Sequence, residues 1–145
     1  TIFKIAAGSA ADTIFKTSVD SLVLDGNYSG EIILNKTDST LIMETAKSYT
    51  LPTNRRPVYL EISYRTQTTL RVGLYGINIV TGLVTNVPFI NLNPSNGEWR
   101  KVYLNVASEV SSFTNTKFKV YIKADHLNTQ TQSQILLDNF QLIYQ

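Results

Sequence analysis

Period-two alternation runs through most of this chain, and helical periodicity is almost absent. In "PVYLEISYRT", Val58, Leu60, Ile62 and Tyr64 fall on one side and Tyr59, Glu61, Ser63 and Arg65 on the other. "TTLRVGLYGI" sets Leu70, Val72 and Leu74 against Arg71, Gly73 and Tyr75. "EWRKVYLNV" separates Val102, Leu104 and Val106 from Trp99, Lys101 and Tyr103. "TKFKVYIKA" separates Phe118, Val120, Ile122 and Ala124 from Lys117, Lys119, Tyr121 and Lys123. Successive side chains of a strand point to opposite faces, so each segment predicts a half-buried strand.

The connections are less uniform. "SLVLDGNYSGEIIL" reads as a run, a turn and a run, because Asp, Gly and Asn tolerate positive φ. "TLIMETAKSYTLP" is a further run, stopped by Pro52, which cannot donate to a ladder. "RTQTT" predicts a hairpin between the strands at 58 and 70. "TGLVTNVPFINLNPSNGEWRKVYLNV" holds a loop rich in Asn, Pro and Gly, followed by the strand of Val102, Leu104 and Val106. "VASEVSSF" is the best helix candidate, though short and Ser-rich. The motif "TIFK" occurs at 1–4 and 13–16, which predicts two similar edge strands at most. Together these give about eight to ten short strands, the pattern of an all-β sandwich or barrel.

The closing stretch "SQILLDNFQLIYQ" poses a question. Strict alternation places Leu136, Asp138, Phe140, Leu142 and Tyr144 on one face and Ile135, Leu137, Asn139, Gln141 and Ile143 on the other. A carboxylate thereby lands on the more apolar face of what reads as a core strand. It must be paired, hydrogen-bonded or metal-bound there, because desolvating it is otherwise expensive.

Composition narrows the class. The 145 residues suit a single domain spanning 1–145 with its own core, and 43% hydrophobic against 17% charged content is too apolar for disorder. Thr, Ser and Asn make up roughly a quarter of the chain, in keeping with strands and turns. A net charge of +2 with scattered Lys and Arg argues against nucleic acid or an anionic membrane as partner. The absence of Cys excludes disulfides and thiolate metal sites. No stretch is long and apolar enough to span a bilayer as a helix. The start at "TIFK", with no initiator Met, reads as a trimmed mature piece whose targeting segment has been removed.

"NGEWRKVYLNV", "KFKVYIKA" and "ILLDNFQLIY", with "GNYSGEIIL" and "RPVYLEISYR" before them, resemble bacterial jelly-roll domains of the galactose-binding-like type, over most of residues 20 to 145. The resemblance implies a jelly-roll β-sandwich of two antiparallel sheets. It also implies a non-catalytic, exported binding module, tethered at the bacterial surface as a lipoprotein through a lipid anchor absent from this chain. The partner would be a polysaccharide or cell-surface glycan. The alternative is a structural or protein-interaction domain that meets another surface protein. In many such modules the Asp of the closing strand binds a structural calcium ion, which implies Asp138 as a calcium ligand, with Asp12, Asp20, Asp25 and Glu31 as possible partners. A β-bulge turning Asp138 outward, or backbone N–H groups donating to it, would answer the same question without metal.

The outward positions of the central strands are Tyr59, Glu61, Arg65, Arg71, Tyr75, Lys101, Tyr103 and Tyr121. If those strands adjoin, they form one face of aromatic rings with charged hydrogen-bonding groups between them, which suits sugar recognition. An ordinary solvent-facing sheet carries the same pairs. Glu61 and Arg71 would pair across the hairpin. Trp99 would seal the core edge, its N–H finding a carbonyl. His126 beside Asp125 reads as a loop histidine, because neighbours in a strand diverge. No GxSxG, HExxH, P-loop or dinucleotide glycine pattern is present, so no catalytic residue is assigned. "LNTQTQSQ" reads as a polar loop before the last strand.

Overall fold

The computed structural model describes residues 2–144, apart from the side chain of Asp20. Ten strands form: β1 (Phe3–Ile5), β2 (Phe15–Thr17), β3 (Ser29–Leu34), β4 (Thr40–Thr45), β5 (Val58–Thr66), β6 (Leu70–Asn78), β7 (Val84–Leu92), β8 (Arg100–Asn105), β9 (Thr116–Asp125) and β10 (Ser133–Tyr144). A single helical turn, α1 (Ala107–Ser111), lies between β8 and β9. The strands make two antiparallel sheets, ordered β1-β4-β9-β6-β7 (sheet A) and β2-β3-β10-β5-β8 (sheet B). From β3 on, the chain changes sheet at every connection except the β6–β7 hairpin, and the result is a jelly roll.

The alternating apolar sets meet between the sheets. Ile32, Leu60, Ile62 and Ile135 of sheet B and Leu41, Met43, Leu74, Phe118 and Ile122 of sheet A are all at most 1% exposed. Each such side chain contributes roughly 1.5–3 kcal/mol by leaving water. "TIFK" supplies an edge strand to each sheet, β1 in A and β2 in B.

Three connections differ from the sequence reading. "RTQTT" is not a hairpin, since β5 lies in sheet B and β6 in sheet A. Buried hydroxyls fix this corner. The Thr66 hydroxyl donates to the Thr68 carbonyl (2.7 Å), and the Thr68 hydroxyl donates to the Asp125 carbonyl at the end of β9 (2.6 Å). Residues 84–92 form strand β7 rather than a loop. Pro88 is tolerated because β7 is an edge strand with a bulge, so the missing N–H breaks no inner ladder. The first run of "SLVLDGNY" is a 3-10 turn at Asp20–Leu22 followed by a loop, not a strand.

The closing strand resolves its own question. Asp138 pairs with Ser63, but the next pair is Gln141 with Glu61, so three steps along β10 match two along β5. The extra residue is a β-bulge with Asn139 in the left-handed region at φ 49°. It reverses the parity of the strand. Asp138 shares the outer face with Ser63, whereas Phe140 and Leu142 turn inward against the core.

Candidate functional site

The outer face of sheet A is built in rows by strand register. One row runs Ile42, Lys123, Arg71, Asn91 across β4, β9, β6 and β7. The next runs Lys4, Glu44, Tyr121, Gly73, Pro88, and the third runs Lys119, Tyr75, Asn86. Tyr121 lies flat over Gly73: a Cβ there would sit 2.3 Å from the ring, so only glycine admits it. Tyr75 packs on Tyr121 with ring centroids 4.6 Å apart. Tyr121 is only 3% exposed although it points away from the core. Burial, and then Tyr75, hold its hydroxyl above the ordinary value of 10.0.

Two recesses flank this pair. One, about 390 Å³, is lined by Arg71, Lys123, Tyr121 and the β7 residues Asn86, Pro88 and Asn91. The other, about 380 Å³, is lined by Tyr75, Lys119, Glu44, Ala6, Ala7 and Val84. Ala6 and Ala7 follow one edge strand and Val84 begins the other. In a flat five-stranded sheet those edges would stand roughly 19 Å apart. Residues from both line one recess, so sheet A curls into a trough. Arg71 holds Asp125 at 2.7 Å, and Lys119 and Lys4 hold Glu44 at 3.1 and 3.7 Å.

No protein-family model and no curated protein matches the sequence. Solved structures do match. A family 61 carbohydrate-binding module solved with β-1,4-galactotriose superposes with a TM-score of 0.60 at 12% identity, over 99% of this chain and 88% of that one. A family 28 module specific for non-crystalline cellulose gives 0.63 at 13%, over 97% and 86%. The family 22 xylan-binding module of Paenibacillus barcinonensis gives 0.62 at 13%, over 99% and 91%. The fold is that of the carbohydrate-binding-module jelly rolls.

On this jelly roll the eight outward positions do not form one face. Arg71, Tyr75 and Tyr121 lie on sheet A, whereas Tyr59, Glu61, Arg65, Lys101 and Tyr103 lie on sheet B, on the opposite side of the molecule. The expected Glu61–Arg71 pair is replaced by Lys101–Glu61 (2.9 Å) and Arg71–Asp125. Glu61 is 8% exposed, and its hydrogen bond raises Lys101 above the ordinary 10.5. Tyr103 is 60% exposed on sheet B. Arg65 donates to the Ser21 carbonyl (3.0 Å), tying the 18–28 loop to that face. The sequence reading missed the β7 wall, because Asn and Pro read as loop. It also left out Lys119 and Lys123, although both share the outward parity of Tyr121.

Asp138 belongs to sheet B. Its Oδ2 accepts from the Ser29 hydroxyl (2.8 Å) and the Asp25 N–H (3.2 Å), and its Oδ1 accepts from the Asn139 N–H (2.8 Å). These are donors, whereas calcium needs six to eight oxygen lone pairs turned toward it. Among the described residues, no three His, Asp or Glu side chains cluster as metal ligands. Of the possible partners, Glu31 accepts from Gln134 (2.6 Å), Asp12 from Thr13 (2.9 Å), and the side chain of Asp20 lies outside the described residues. Asp138 is thus satisfied by hydrogen bonds at the bulge, with Asp25 adjoining it through its N–H.

Trp99 is partly buried, but its Nε1 has no partner among the described residues, contrary to the expected carbonyl. His126 lies in the loop after β9, as expected, but is only 8% exposed, with Nδ1 3.0 Å from the Ser133 hydroxyl. It forms no dyad with Asp125, which faces Arg71.

Proposed function

We propose that this chain is a non-catalytic glycan-binding module that holds polysaccharide in the trough of sheet A. One observation carries the reading: two recesses meet at the Tyr75–Tyr121 pair on a curled sheet, with Arg71, Lys123, Asn86 and Asn91 converging on one of them. An apolar floor with a few placed polar groups is what sugar recognition needs. The fold shared with glycan-binding modules supports it. The two carboxylates of this face, Glu44 and Asp125, are offset by four residues along the strands, about 13 Å. Hydrolysis by paired carboxylates needs roughly 5–9.5 Å. A role at the bacterial surface, as part of an exported lipoprotein, goes with this reading.

Affinity electrophoresis against a polysaccharide panel, followed by calorimetry, tests it. Tyr75→Ala should weaken binding about tenfold or more, a loss typical of an anchor residue, while Tyr103→Ala leaves it unchanged. Loss with Tyr103→Ala alone would move the site to sheet B. Failure to bind any polysaccharide would sink the reading. It would favour a protein-interaction domain, for which the exposed apolar tip of the β6–β7 hairpin (Ile79 61%, Val80 75%, Leu83 68%) is the surface to examine.

A further inference from the structure

We propose that the glycan held on sheet A is acidic, with a sugar carboxylate bound between Lys123 and Arg71. This rests on the glycan-binding reading and adds the chemical class of the ligand. Lys123 and Arg71 stand directly opposite each other on β9 and β6. Like charges in that relation destabilise a sheet, and a local rule broken in a recess is a signature of a functional position. Arg71 is neutralised by Asp125. Lys123 forms no ion pair among the described residues, although it is half-buried in the recess. Its ammonium instead lies 4.6 Å from the centroid of Tyr121 and 5.4 Å from that of Tyr75.

That arrangement also removes a competing use of the recess. Tyr121 has one side against Gly73 and is packed by Tyr75 and Lys123, so it offers no open ring for a neutral sugar to stack on. What remains accessible is the unpaired ammonium of Lys123, the edges of the Arg71 guanidinium that Asp125 leaves open, and the amide of Asn91 in the same row. A planar carboxylate suits this set, since a guanidinium bound on one edge keeps donors on the others.

The test compares polygalacturonate and alginate with neutral galactan, xylan and hydroxyethylcellulose, and with dextran sulfate as a polyanion lacking carboxylates. The acidic polymers should bind best, and their binding should weaken with added salt. Lys123→Gln should cost them about tenfold, one charge-assisted contact, and Lys123→Arg should retain them. Binding to the neutral polymers should be unchanged by Lys123→Gln, and Lys47→Gln, remote and exposed, should have no effect. Equal or tighter binding of neutral polymers, equal binding of dextran sulfate, or no effect of Lys123→Gln would overturn the inference and leave glycan binding standing. No binding to any of them would overturn both.

Discussion

At the residue scale, Asp138 shows how a polar group inside an apolar run is accommodated. Two of its three hydrogen bonds join the bulge to the 25–29 segment that enters β3, and the third closes the bulge itself at Asn139. Asp138→Ala leaves those donors without an acceptor and should cost roughly 1–3 kcal/mol in urea unfolding. EDTA should leave the melting temperature of the unaltered protein unchanged, and a clear drop would restore calcium to this position. Gly73 makes a complementary point. It reads as one more outward strand position, yet its missing side chain is what lets Tyr121 lie down and form the trough floor.

At the element scale, β10 is one strand with two parities. Alternation is a reliable guide while the ladder is regular, and it assigned the faces of β5, β6, β8 and β9 correctly. In β10 one inserted residue reverses it, because the side-chain period is two. Asn139 tolerates the left-handed conformation that the bulge requires. Asn139→Gly should therefore keep stability within about 0.5 kcal/mol, while Asn139→Val should cost roughly 1–2 kcal/mol, since a β-branched residue is strained there. Chemical denaturation of the two variants checks this, and equal stability would mean that the bulge can shift. β7 carries the related lesson for edges. Pro88 and two asparagines, Asn86 and Asn91, hide a strand that an edge position can afford.

At the scale of the whole molecule, the consequence is the separation of two faces. Tyr75 and Tyr103 sit on opposite sides of the sandwich and share no neighbours, so their alanine substitutions should add within about 0.5 kcal/mol. Tyr75 and Tyr121 touch, and their double variant should depart from additivity by roughly 0.5–1.5 kcal/mol. Thermal unfolding of the single and double variants reads both. Coupling between Tyr75 and Tyr103 would contradict the sheet order.

Alternation by itself determined the regular strands β5, β6, β8 and β9 and their inward sides, because burial depends there on the local period and not on which strands adjoin. The resemblance of the later strands added the jelly roll. Sheet membership was decided only by the tertiary structure, since a connection such as residues 67–69 is equally short whether it turns back beside β5 or crosses the core. That crossing divided the eight expected site residues between two faces, brought Lys123 beside Arg71, and covered Tyr121. Register and curvature are non-local, so no single segment of this sequence could state them.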